Sequence, residues 1–189
     1  MLQETSPASA NEAGPRPDIQ HRAGLRAFGE AQYRALLGSR RRNRYFHRFL
    51  RRLIAARVVP GSRVLDVGCA NGDVLAAVRP AHGVGIDING VAVADAKRTH
   101  PDFAFHELAV EDVAKLGETF DYVILSGVLP QLYDLHSALE AIRSVCHERT
   151  RIIVTTFSRV WQPAISLAEF IGWKAHVPAE SWIPPVEVR

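Results

Sequence analysis

The segment Val64–Asp73 joins an apolar run of strand length to a turn of small residues, and a second such run ends at Asp87. A turn that contains Gly68 and Gly72 lets the backbone approach a bound ligand, because side chains beyond Cβ would block that approach. An acidic residue at the tip of the next strand can accept hydrogen bonds from the two hydroxyls of a ribose. The pattern therefore predicts a site for a nucleoside-like ligand at the ends of two neighbouring strands.

The spacing of the small residues argues against a dinucleotide. A dinucleotide loop requires the pattern G-x-G-x-x-G directly after the strand. Here small residues occupy every second position, at Gly68, Ala70 and Gly72. Asp73 stands where the dinucleotide pattern requires its third glycine. A carboxylate there would lie beside a pyrophosphate, which disfavours NAD and FAD. A P-loop is excluded because the chain contains no Gly-Lys-Ser or Gly-Lys-Thr sequence, so a ligand with a ribose and no phosphate fits better.

The elements that position this turn follow from the apolar periodicity. Strands are predicted at Val64–Val67, Val84–Asp87, Phe103–His106, Tyr122–Ser126 and Ile152–Thr156. Helices are predicted over Val74–Val78, Val91–Thr99, Leu135–Cys146 and Ala164–Trp173. Continuous apolar strands separated by helices indicate a mostly parallel sheet covered on both faces, which is a doubly wound α/β domain.

The composition is that of a globular domain, with 47% hydrophobic and 23% charged residues among 189. No apolar run is long enough to span a bilayer, and the N-terminus lacks the apolar core of a secretory signal. We expect a disordered leader over residues 1–24, a helical extension over 25–60 and the main domain over 61–189. Cys69 and Cys146 lie in different predicted elements, so a reduced, cytoplasmic protein is expected.

The net charge of +3 is unevenly distributed, because the window from Ala31 to Leu65 contains ten arginines and no Asp or Glu. Within this basic helix an apolar arc opposes the arginines, and it consists of Phe46, Phe49, Leu50, Leu53 and Ile54. Two interpretations remain open. Either the apolar arc docks on the sheet and the arginines are solvated, or the basic surface attracts an anionic acceptor such as a phosphorylated sugar or a lipid headgroup. Nucleic acid is disfavoured, because aromatic residues interleave poorly with the arginines.

Three motifs taken together resemble the class I S-adenosylmethionine-dependent methyltransferases. They are the glycine-rich Val64–Asp73, the acidic strand tip Gly85-Ile86-Asp87 and the F-D-x-V-x strand Phe120–Leu125, in the family's order and spacing. The segments Arg42–His47 and Val145–His147 look like a bacterial subgroup of small methyltransferases. The resemblance implies a Rossmann-like fold, S-adenosyl-L-methionine as cofactor, and methyl transfer to a small-molecule, glycan-linked or lipid-linked acceptor.

The resemblance also implies roles for individual residues. Asp66 would contact the methionine end of the cofactor, Asp87 would bind the ribose hydroxyls, and Ile88 would pack on the adenine ring. The other implied cofactor-binding residues are Gly68, Cys69, Ala70, Gly72, Val110, Ser126 and Gly127. The alternative is that Asp66 and Asp87 only cap nearby turns.

Methyl transfer from a sulfonium needs alignment and exclusion of water, and it uses a general base only with some acceptors. The candidates for such a base are Tyr45, His47, Tyr133 and His136, although each residue type more often packs or faces solvent. His147 is expected at the C-terminal end of a helix, where a cation is favourable. No metal site is predicted.

The family fold has seven strands and ends in an antiparallel hairpin, whereas five strands are predicted here before Arg189. The hairpin is therefore expected to be missing, which would leave an exposed strand edge able to support a dimer. The segment Trp182–Arg189 looks like the start of a helix too short to be stable alone. A cofactor-binding but inactive interaction module, or a truncated fragment, is thus the alternative to an enzyme.

Overall fold

The computed structural model of the chain describes residue 33, residues 44–132 and residues 134–156. The predicted leader over residues 1–24, Tyr133, the predicted helix Ala164–Trp173 and the segment Trp182–Arg189 lie outside the described residues. No helix within the described ranges combines the length and the apolarity that crossing a membrane requires.

The described elements alternate between strands and helices. In chain order they are α1 (Arg44–Ala55), β1 (Arg63–Val67), α2 (Asp73–Val78), β2 (His82–Asp87), α3 (Gly90–Thr99), β3 (Ala104–Glu107), a 3₁₀ helix (Val110–Leu116), β4 (Phe120–Ser126), a 3₁₀ turn (Leu129–Gln131), α4 (Leu135–Arg143) and β5 (Cys146–Thr155). The strands form one sheet in the order β3-β2-β1-β4-β5, and every pairing is parallel. The predicted doubly wound α/β fold is confirmed.

Alternate residues of the central strands enter two separate cores, one on each face of the sheet. Leu65 and Val67 of β1 pack with the 3₁₀ helix and with α4 on one face. Val64 packs on the other face with Ile54 of α1 and Leu75 of α2. Because side chains alternate along a strand, Asp66 must share the face of Val64 and lie beneath α1 and α2.

The predicted boundary between the fourth helix and the fifth strand was wrong. α4 ends at Arg143 and not at Cys146, and β5 begins at Cys146 and not at Ile152. The first half of β5 is polar and exposed, and a register irregularity between Phe120 and Tyr122 interrupts its pairing with β4. A strand with solvated side chains lacks the apolar run by which the other strands were predicted.

The expectation that His147 lies at a helix C-terminus was also wrong. His147 belongs to β5, and its Nε2 lies 3.2 Å from Oδ1 of Asp121 on the neighbouring strand. In the described sheet β3 and β5 are the two edge strands. The proposed dimer contact through the edge beside β5 stays a prediction.

The helix α1 docks on the domain by only part of its apolar arc. Ile54 is buried and Leu50 is half-buried, whereas Phe46, Phe49 and Leu53 remain exposed. The reason is geometric: α1 packs on α2, and α2 is only six residues long. Docking of the apolar arc, one of the two interpretations left open, therefore holds for Ile54 and Leu50 and not for the exposed members of the arc.

Candidate functional site

The carboxyl ends of the central strands bring the predicted site residues into one row. The register pairs Val67 with Ile86 of β2 and with Leu125 of β4. One residue further along, Gly68 therefore lies between Asp87 and Ser126 at the edge of the sheet. Ligands of open α/β sheets bind outside this edge, where the strand order reverses between β1 and β4.

The turn after β1 requires left-handed backbone at three alternate residues. The φ angles are 70° at Gly68, 45° at Ala70 and 79° at Gly72. The N–H groups of Gly68 and Cys69 both donate to the carbonyl of Ile86, at 2.8 and 3.0 Å. These bonds hold the turn against the end of β2.

Steric contacts are a second reason why Gly68 and Gly72 must be glycine. A Cβ at Gly72 would lie 2.6 Å from the Phe105 ring, and a Cβ at Gly68 would lie 3.0 Å from a Val128 methyl group. Contacts that short are not tolerated without rearrangement. The glycines therefore permit packing within the protein as well as the approach of a ligand, and the sequence pattern could not reveal the packing contacts.

Ala70 carries strain that a glycine would relieve, because left-handed backbone is unfavourable for any residue with a Cβ. We expect Ala70→Gly to raise the free energy of unfolding by about 0.5–1 kcal/mol, after the extra chain entropy of glycine is subtracted. Urea titration measures this change. As a control, Ala77→Gly in α2 should lower stability by a similar amount. Equal destabilisation by both substitutions would contradict the strain at Ala70.

The carboxylate of Asp87 joins the glycine turn to the turn between β2 and α3. Its Oδ2 accepts the N–H of Ala70 at 2.9 Å, and its Oδ1 accepts the N–H of Asn89 at 2.8 Å. Burial raises the pKa of Asp87, and backbone N–H bonds from Asn89, Ala70 and Ile88 oppose that rise. Each carboxylate oxygen has a second lone pair, so the group can hold both turns and still accept ribose hydroxyls. Capping and ligand binding are therefore compatible.

Asp66 is a buried carboxyl in the middle of the central strand. It is 1% exposed, and within the described part of the chain neither carboxylate oxygen has a hydrogen bond. Burial, and then the negative charge of Asp87, raise the pKa of Asp66 to about 8. A buried carboxyl without hydrogen bonds is costly, and such groups concentrate at functional sites. Two residues before Gly68 on the central strand, the group is suited to receive a cationic ligand.

The thiol beside it is a poor nucleophile. Cys69 is buried, and this burial raises the pKa of its thiol well above the ordinary value, assisted by the charges of Asp66 and Asp87. Thiolates are the reactive form of cysteine. Cys69 therefore contributes packing and backbone to the site.

The carboxylate of Asp73, at the start of α2, forms an ion pair with Arg51 of the neighbouring helix. Its Oδ2 lies 3.0 Å from Nη1 of Arg51 on α1, and its Oδ1 lies 3.5 Å from Nε2 of His100 after α3. Because Arg51 compensates the charge of Asp73, this carboxylate repels a pyrophosphate less strongly than the sequence alone predicts. The contacts of Arg51 and His100 with Asp73 could not be predicted from the sequence, because no local pattern indicates a contact between residues so far apart in the chain.

The base candidates lie in different environments. His47 is exposed on α1, where partial desolvation and then the charge of Arg51 lower the pKa of its imidazole, against an opposite effect of Asp73. Tyr45 faces outward from α1 and is exposed. His136 is exposed in the first turn of α4, with Nε2 3.5 Å from Oε1 of Glu140. Tyr133 lies outside the described residues, so its role stays a prediction.

The other predicted contacts surround the same edge of the sheet. Val110 is buried at the first position of the 3₁₀ helix, where a backbone N–H has no intrahelical acceptor. Ile88 is half-buried directly after Asp87. The hydroxyls of Ser126 and Thr155 lie 3.1 Å apart, and the N–H of Gly127 donates to the carbonyl of Thr155 at 3.1 Å. Their roles toward a cofactor stay predictions.

Comparison with known families decides the class of the domain. A family model described as a methyltransferase domain matches residues 59–181. The chain belongs to this methyltransferase family. The match spans the glycine turn, Asp87 and β4, and it confirms the resemblance to class I S-adenosylmethionine-dependent methyltransferases.

Two curated relatives of the methyltransferase domain are similar over part of their length. One is the probable cobalt-precorrin-6B C(15)-methyltransferase (decarboxylating) of Thermoplasma acidophilum, 29% identical over 108 residues, which are 52% of each chain. Another is the ubiquinone biosynthesis O-methyltransferase of Rhizobium etli, 29% identical over 116 residues, which are 58% of this chain and 47% of the relative. The chain thus spans about half the length of the curated relatives it matches.

A solved structure resembles the methyltransferase domain over most of its length. Magnesium protoporphyrin IX methyltransferase from Synechocystis PCC 6803 with bound SAH superposes with a TM-score of 0.67. The alignment covers 91% of this chain and 85% of that one, at 20% identity. At this identity the similarity supports the fold alone.

Proposed function

We propose that this methyltransferase domain binds S-adenosyl-L-methionine at the carboxyl ends of β1, β2 and β4 and transfers its methyl group to a small-molecule acceptor. The observation that carries the proposal is the buried carboxyl of Asp66 beside the glycine turn, which has no hydrogen-bond partner among the described residues. A ligand that brings a cation and a ribose to this edge would satisfy Asp66 and use the free lone pairs of Asp87. The cytoplasm is the location we propose for this activity.

The residues present fit this cofactor. Asp66 would hold the cationic methionine end, and Asp87 would accept the ribose hydroxyls while it keeps the N–H groups of Ala70 and Asn89. The remaining contacts that we propose are the turn residues Gly68, Cys69, Ala70 and Gly72, with Ile88, Val110, Ser126 and Gly127 around them. When bound, the cofactor supplies a methyl group activated on a sulfonium.

The protein must orient the acceptor, exclude water and, for some acceptors, remove a proton. His47 is the candidate base that its environment favours, because a lowered pKa keeps its imidazole neutral and able to accept a proton at pH 7. The names of the relatives refer to cobalt-precorrin and to ubiquinone biosynthesis, which supports a small-molecule acceptor. A glycan-linked or lipid-linked acceptor belongs to the same proposal.

Titration calorimetry on the full chain tests cofactor binding. We expect saturating heats for S-adenosylmethionine and S-adenosylhomocysteine. NADH should give none, and it tests the alternative that the site binds a dinucleotide. Tighter binding of NADH than of the methyl donor would overturn the proposal.

A methyl-release assay with a mixture of small metabolites then separates two outcomes. Turnover supports the enzyme. Cofactor binding without turnover would instead favour a catalytically inactive interaction module or a fragment, which is the alternative function.

A further inference from the structure

Two parallel stripes of side chains run along the solvent side of α1. Tyr45, Phe49 and Leu53 follow one another at every fourth residue and are 84%, 54% and 37% exposed. The arginines one position earlier, Arg44, Arg48 and Arg52, form the neighbouring stripe and are exposed as well. Residues four apart lie on the same face of a helix, so the two stripes are adjacent. We call this surface the aromatic–arginine face.

The aromatic–arginine face points away from the domain. The opposite arc of α1 carries Ile54, which is buried against α2, and Arg51, which pairs with Asp73. Leu50 and Ala55 pack against the same core, so this arc is the packed side of the helix. Single exposed apolar residues are ordinary, but an aromatic and aliphatic stripe on one helix indicates an interaction surface.

The charges on this face have no ion-pair partner in the part of the chain that the structure describes. Among the described residues, Arg44, Arg48 and Arg52 form no ion pair, and the sequence from Ala31 to Leu65 contains no acidic residue. Arginines beside an aromatic stripe are the composition of a helix that lies in the interface of an anionic bilayer, with the rings at headgroup depth. The surface is therefore complementary in charge and in polarity to such a bilayer.

We propose that α1 docks this domain on an anionic lipid surface through its aromatic–arginine face. A nucleic-acid strand is the less suitable occupant, because strand-binding surfaces use a groove with aromatic platforms, whereas this face is one convex helix that includes the aliphatic Leu53. The proposal does not depend on the proposed methyl transfer. It would place the domain where lipid-soluble or anionic acceptors are concentrated.

Vesicle flotation of the full chain tests the proposal. The protein should float with phosphatidylcholine vesicles that contain phosphatidylglycerol, should stay unbound with phosphatidylcholine alone, and should be released by high salt. Arg48→Gln/Arg52→Gln should weaken binding about 25-fold, since each arginine contributes about fivefold near an anionic leaflet. Tyr45→Ser/Phe49→Ser should weaken it by about tenfold or more.

Matched variants elsewhere provide the controls. Lys97→Gln/Arg143→Gln makes the same change in charge on α3 and α4, and Leu139→Ser removes an exposed apolar side chain from α4. Both should bind anionic vesicles within about twofold of the parent. Equal losses in the control and test variants would overturn the proposal. So would binding to single-stranded RNA without binding to vesicles. Thermal melting checks that each variant is folded.

Discussion

Asp66→Asn is expected to stabilise the domain at pH 8 while weakening its binding of S-adenosylmethionine tenfold or more. The folded state holds the Asp66 proton with a pKa of about 8, against 3.8 for the ordinary group. Between these values the folded protein binds more protons than the unfolded chain, so the free energy of unfolding falls as pH rises. Each pKa unit corresponds to about 1.4 kcal/mol. Asparagine never ionises and avoids this loss.

We therefore expect Asp66→Asn to gain at least about 2 kcal/mol at pH 8, and the gain should shrink as pH falls toward 4. Guanidinium unfolding at several pH values measures it. Asp102→Asn, at an exposed carboxyl between α3 and β3, is the control and should change neither stability nor binding. A variant less stable than the parent at pH 8 would mean that the Asp66 carboxylate is already satisfied.

Cofactor affinity should depend on pH through the same group. A bound cation favours the ionised carboxyl of Asp66, so the parent must release a proton on binding below pH 8, and its affinity should rise with pH up to that value. Calorimetry in buffers of different ionisation enthalpy detects this proton. In Asp66→Asn the proton release that comes from the Asp66 carboxyl should disappear. Titration of the ligand's own amino group is common to both proteins, so the difference between them reports on Asp66. An identical pH dependence in the two proteins would remove Asp66 from the site.

Asp87→Ala is expected to weaken the binding of S-adenosylhomocysteine about a hundredfold or more. Two hydrogen bonds from ribose hydroxyls to a carboxylate contribute about 1.5–3 kcal/mol each, and a hundredfold corresponds to about 2.8 kcal/mol. The variant should also melt earlier, because the N–H groups of Ala70 and Asn89 lose their acceptor. Calorimetry and thermal melting measure the two effects separately.

Asp121→Ala is the matched control for that loss. Asp121 also accepts a backbone N–H through one oxygen, from Arg63 at 2.8 Å, but it lies at the opposite, amino-terminal edge of the sheet. Its removal should lower stability and leave cofactor affinity within about twofold. If both variants lose affinity in proportion to stability, the effect of Asp87 is structural and the ribose contact is disproved.

The parts of the site that could be predicted from sequence are those that local patterns encode. The strands β1, β2 and β4 are buried on both faces and mostly apolar, so their runs are visible in the sequence. The small residues of the turn and the acidic tip at Asp87 follow these runs at short spacing. Strand β5 was misplaced at its start because its first half is solvated, and His147 was misplaced with it.

The sequence by itself determined the fold class, the position of the glycine turn and the presence of an acidic residue at the end of β2. Only the tertiary structure decided that Asp66 is buried with no hydrogen-bond partner in the described ranges, that Arg51 pairs with Asp73, and that Phe105 lies against Gly72. It also decided which arc of α1 is packed and which faces solvent. The reason is that strand and turn patterns are local, whereas burial, charge pairing and steric contact join residues far apart in the chain.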